Sequence, residues 1–182
     1  MKNKFSITIF VTCILLVATV FTVTAQDAHE IKISSPYPSL PLSDVKASGN
    51  QKTGIVEITM SFKNNYSKSA GVSLAIGGFD DLGITDSKGI KYKVFTQKNA
   101  VNTNKGFQNI SFVQFGDKKF NWVATVKQEM SAGESRTLTL RMKSENGVKS
   151  IGNFHIRCIL SLDYEHIGDK MYLIENIPVV WK

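Results

Sequence analysis

Chemistry in this chain has few side chains to draw on. His29, His155 and His166 are the only imidazoles, and no two stand at the H-x-x-x-H or C-x-x-C spacing that brings two ligands onto one zinc ion. The densest ionisable group is Asp163, Glu165, His166 and Asp169. An acid, a base and a nucleophilic serine could assemble there as a small hydrolase, but no G-x-S-x-G elbow exists to present the serine. Asp80, Asp81 and Asp86, with Ser87, carry the hard oxygens calcium takes, without the D-x-[DN]-x-[DN]-G spacing that wraps one ion. Asp86 reads instead as the cap of its own turn. No catalytic residue, cofactor or metal is expected. The sequons Asn65-Tyr66-Ser67 and Asn109-Ile110-Ser111 would matter only in a eukaryotic source.

The aromatic residues carry more promise. Tyr66, Phe79, Phe107 and Tyr164 fall at or near expected turns. Loops at the end of a β-sandwich commonly recognise partners, and an aromatic with a polar rim is the usual anchor of an interface. These four are the candidate binding residues. Cys158 stands alone once Cys13 is assigned to the apolar leader, so the mature chain can form no internal disulfide. It shares a strand face with apolar neighbours and is expected to be a buried, unreactive thiol.

The elements that must position these residues read as strands. In Asn153 to Leu162, Phe154, Ile156, Cys158, Leu160 and Leu162 occupy every second position and would share one face of a central strand. His155 falls on the opposite, outward face. Val56, Ile58, Met60 and Phe62 alternate with Glu57, Thr59 and Ser61 and end at Asn64-Asn65. Further strands are expected at Val72–Ile76, Ile90–Val94, Ile110–Phe115, Phe120–Val126, Leu138–Met142 and a last one ending at Trp181. Gly116 to Lys119 reads as a hairpin turn. Ser48 to Gly54 reads as turn chemistry, residues 97–106 as an exposed loop, and Asp163 to Lys170 as a polar connection. Ile31 to Ile33 forms an edge strand, after which Pro36, Pro38 and Pro41 exclude helix and interior strand. Eight or nine strands at 8 to 12 residue spacing, about what such a fold needs, give an all-β, antiparallel sandwich.

The whole chain adds compartment and charge. Lys2 and Lys4 precede an apolar run from Phe5 to Phe21, and Val23-Thr24-Ala25 offers small residues before Gln26. This has the form of a cleavable signal peptide over residues 1–25, with an edge strand and Pro-rich loop in 26–54 and the sandwich in 55–182. The product is expected in a bacterial periplasm or outside the cell, with no stable membrane insertion after signal removal. The chain has 22 Lys and Arg against 15 Asp and Glu. Without Lys2 and Lys4 the net charge is about +5 at neutral pH. The basic residues are scattered, with no run that reads as a nucleic-acid arm, so no nucleic-acid partner is expected.

Four landmarks in order resemble a group of exported bacterial immunoglobulin-like domains, some labelled after telomeric repeat binding factors. They are the strand from Val56 to Asn65, the Asp86-Ser87-Lys88-Gly89-Ile90-Lys91-Tyr92 turn, the Met130-Ser131-Ala132-Gly133 turn and the closing Asn176-Ile177-Pro178-Val179-Val180-Trp181. The resemblance spans Ile55 to Trp181, with Ser131 where that group often has Pro. It implies a sandwich at the cell envelope and transfers no catalytic residues. The expected function is an exported, non-enzymatic module that binds an envelope protein or glycan. The alternatives are a small hydrolase using the His166 and Asp163 region and a purely structural accessory domain.

Overall fold

The computed structural model describes residues 30–76, 83–94, 107–119, 125–145 and 147–182. Among them there are fourteen strands and no helix: β1 (Lys32–Ser34), β2 (Leu42–Asn50), β3 (Ile55–Lys63), β4 (Ala70–Ala75), β5 (Ile84–Asp86), β6 (Lys91–Lys93), β7 (Phe107–Phe115), β8 (Lys118–Lys119), β9 (Thr125–Met130), β10 (Ser135–Lys143), β11 (Ser150–Gly152), β12 (Phe154–Leu162), β13 (Glu165–Glu175) and β14 (Ile177–Trp181). No helix among them is long and apolar enough to cross a membrane. The leader, His29, Phe79, Asp80 and Asp81 lie outside the described residues.

The strands form two sheets. One is open and five-stranded, in the order β1-β13-β12-β4-β9. The other runs β10-β3-β2-β14-β11-β5-β6-β7-β8, and pairing between β10 and β7 closes its first eight strands into a ring. The all-β expectation holds, but closure of the larger sheet gives a barrel joined to an open sheet rather than a simple sandwich. Nor is it wholly antiparallel, since β14 runs parallel to β2 and β6 parallel to β7.

Alternation explains the core. In β3, Val56, Ile58, Met60 and Phe62 are fully buried, and in β12 so are Phe154, Ile156, Cys158 and Leu160. Each such large side chain contributes about 1.5–3 kcal/mol of burial. Leu162 departs from the pattern and is half-buried, because the β12–β13 register shifts between Leu160 and Ser161 and turns the last residues. The inner faces of both sheets meet in one apolar cluster. Within it Phe62 makes edge-on contacts with Phe115 and Tyr172, at centroid distances of 5.6 and 5.3 Å.

Three segments differ from the sequence reading. Residues 42–50 form β2, paired to β3 and β14, and the turn begins only at Gln51. The small and polar residues of β2 hide this strand, whose buried face consists of Leu42, Val45, Ala47 and Gly49. The Pro-rich segment is not merely an extended loop, because Tyr37 and Leu40 are buried in the core. Tyr37 donates to the Cys158 carbonyl at 3.3 Å, and Tyr172 donates to the Leu40 carbonyl at 2.6 Å. The polar stretch after Asp163 is a strand too. It pairs with β12 along its length, and its first six residues, Glu165 to Lys170, are exposed or half-buried.

Candidate functional site

Four connections gather at one end of the molecule, where β3 passes to β4, β9 to β10 and β12 to β13, beside the segment that enters β2. Asn64 holds them together. Its buried side chain donates to the carbonyls of Lys68 and Met130, both at 2.9 Å, and of Ser131 at 3.1 Å, while its Oδ1 accepts from the Tyr66 amide. Its backbone amide donates to the Glu134 carbonyl, and its own carbonyl accepts from Gly133 at 2.7 Å. Gly133 has φ +76°, the left-handed conformation that glycine adopts freely. The asparagine ending β3 and the glycine turn before β10 are thus two halves of one clamp.

The β12–β13 turn projects from this end. Leu162 pairs with Glu165, leaving Asp163 and Tyr164 as a two-residue loop with φ values of +46° and +71°. Positive φ at both central positions is the turn whose twist matches its flanking strands, and it usually employs Asn-Gly. A tyrosine in left-handed backbone costs about 1–2 kcal/mol. Tyr164 is nonetheless there, with 92% of its surface exposed. The Asp163 amide donates to the Ser69 carbonyl, and Lys68 meets the Asp163 carboxylate at 2.9 Å, so the base of the hairpin is fixed to the β3–β4 connection.

Tyr66 lies on that same connection and is half-buried against the core. Burial, chiefly, with the nearby Cys158, pushes its phenol above the ordinary tyrosine range. Phe107 sits at the opposite end, where β7 begins, with Lys93 Nζ 4.4 Å and Lys91 Nζ 5.9 Å from its ring centroid. The structure therefore brings Tyr66 and Tyr164 to one end and places Phe107 away from them, while Phe79 is outside the described residues.

Three ionisable residues of the hairpin, Arg157, Asp163 and Asp169, are committed to ion pairs. Arg157 holds the Asp169 carboxylate through both oxygens, and its hydrogen bonds, foremost, keep that carboxyl below the usual range. Asp163 faces Lys68, and the Ser161 hydroxyl donates to the Gly71 carbonyl. His166 is exposed on β13 opposite Ser161. Cys158 has no exposed surface, and desolvation pushes its thiol up to about 12. Asp86 caps its turn as expected. Its Oδ1 accepts from the Lys88 and Ile90 amides, and its Oδ2 accepts from the Tyr92 hydroxyl at 2.8 Å. Among the described residues, no three His, Cys, Asp or Glu side chains group closely enough to hold a metal ion.

Sequence reasoning had no signal for the left-handed tip, because Asp-Tyr is not a usual pair for this turn. No model of a known protein family matches the chain, and no curated protein matches it.

Proposed function

We propose that this chain is an exported, non-enzymatic module of immunoglobulin-like type that binds a protein or polymer partner at a bacterial cell envelope, using the end that carries Tyr164 and Tyr66. The observation that carries the reading is Tyr164, a large aromatic held fully out in solvent on a backbone conformation that glycine or asparagine would adopt at lower cost. Residues held in sparsely populated backbone conformations cluster at functional sites. An aromatic side chain on a two-residue turn also reaches a partner with little entropy left to lose.

The immunoglobulin-like kinship is supported by the order of the landmarks. The asparagine that ends β3, the Asp86 turn, the glycine turn before β10 and the closing strand β14 each have a structural role. Export is supported by the basic and apolar leader in the sequence.

The test is capture from envelope and culture fractions with tagged protein comprising residues 26–182, comparing the native sequence with Tyr164→Ala. A partner recovered in near-equal amount, and lost at least tenfold in the variant at unchanged folding, supports the reading. Recovery of nothing above background, or recovery indifferent to Tyr164, overturns it.

A further inference from the structure

Several basic residues that are far apart in sequence share one face in space. The outward face of β14, β2, β3, β10, β7 and β8 is set by register. Phe112, Arg141, Glu57, Ser48 and Val180 form one row across five strands, and Lys119, Gln114, Thr139, Thr59 and Lys46 form the next. Lys143 stands beside Ile55 at one margin, and Lys63 beside Ser135 at the other. Lys46, Lys63, Lys119, Arg141 and Lys143 are all exposed. Two carboxylates stand exposed or half-buried on these strands: Glu57, which Arg141 holds at 2.6 Å, and Asp44 at the β2 bulge, which accepts from the Ser43 hydroxyl. Among the described residues, Lys46, Lys63, Lys119 and Lys143 enter no ion pair.

The other face differs. On the open sheet, Arg157 pairs with Asp169 and Lys127 with Glu129, and Lys32 lies opposite Glu175. Among the described residues, Lys46, Lys63, Lys119 and Lys143 thus stand without ion partners on the one face, whereas these charges of the open sheet are paired or face an opposite charge. Between the lysines run Thr59, Ser61, Thr137, Thr139 and Gln114, and a shallow groove lined by Lys46, Ser48, Glu57, Thr59, Val180 and Lys182 crosses it.

We propose that this face binds an extended anionic polysaccharide, a surface separate from the Tyr164 end. Unpaired lysines supply long-range attraction to carboxylate or sulfate groups, and the hydroxyl and amide side chains between them match sugar hydroxyls. Lys63 and Lys143 stand eight residue steps apart along the strands, about 27 Å at roughly 3.4 Å per residue, a length suited to a polymer rather than a small anion. Single-stranded nucleic acid would need a row of open aromatic rings for base stacking. Here there is Phe112 alone, covered by Arg141 at 4.7 Å. A membrane surface would need clustered apolar side chains beside the cations. Val180 and Ile55 are exposed but stand on strands separated by β2.

The probe is immobilised polygalacturonate, with neutral dextran, anionic phospholipid vesicles and single-stranded DNA as comparisons, at low and high salt. The protein is expected to retain on polygalacturonate, to be released as salt rises, and to pass through dextran. Joint substitution of Lys46, Lys63, Lys119 and Lys143 by Gln should weaken retention roughly tenfold or more. The same charge removed at Lys32, Lys88, Lys127 and Lys149 should leave most of it. Equal loss in both variants, absence of retention, or stronger binding to vesicles or DNA overturns the proposal. Tyr164→Ala should not change retention, so this face and the hairpin end can fail separately. Unchanged thermal melting of each variant excludes misfolding as the cause.

Discussion

At the scale of single residues, the ion pair of Arg157 and Asp169 is the clearest source of pH dependence. The folded-state carboxyl of Asp169 lies below its unfolded value because the guanidinium donates to it. Its stabilisation is therefore fully present above the unfolded carboxylate value of about 4 and disappears as pH falls through the lower folded value. Asp169→Asn should reduce stability to urea at pH 7, and the gap between variant and native protein should close once the pH falls below the folded value. A gap that persists unchanged at low pH would mean that packing, not charge, is what the carboxylate supplies. Both side chains are about one-third exposed, so the effect should be modest and should shrink in salt.

At the scale of elements, the β12–β13 hairpin sets its own turn against its function. Left-handed backbone costs a tyrosine about 1–2 kcal/mol, whereas glycine adopts it freely but gains unfolded-state entropy of about 0.5–1 kcal/mol. The first effect wins. Tyr164→Gly should raise stability by about 0.5–1 kcal/mol in urea melts while reducing partner recovery, and a variant that is both less stable and fully active would remove the case for strain. The parallel pair of β14 and β2 is specified differently. Trp181 lies flat over Gly49, where any Cβ would collide with the ring, and its indole donates to the Val148 carbonyl at 2.8 Å. A glycine that reads as turn chemistry in the sequence is here the seat of an aromatic ring.

At the scale of the whole molecule, the N-terminal segment belongs to the core. Tyr37 packs beside Tyr172 with centroids 6.3 Å apart, lies beneath Lys170 and fills the space over Gly168. Tyr37→Ala should cost about 3–5 kcal/mol, as large aromatic truncations in cores do. Denaturant unfolding read by tryptophan fluorescence tests this. A loss below 1 kcal/mol would show the segment to be an appendage.

The sequence by itself determined the strands whose two faces differ in polarity. β3, β10 and β12 alternate so regularly that a one-residue slip would expose the whole apolar set, which is why their positions and the buried state of Cys158 were legible. It also determined the turns built on Gly116, Gly133 and Asp86, whose chemistry is local. Tertiary structure alone decided the rest. β2 and the start of β13 carry small or polar side chains, so their strand character comes from neighbours that supply backbone partners. Ring closure between β10 and β7 joins residues whose pairing no local pattern encodes. The left-handed tip under Tyr164 follows from the two-residue spacing that the flanking pairing imposes. The lysine face exists only because register sets residues from six strands side by side, and the distance along the chain between Lys46 and Lys143 carries no trace of it.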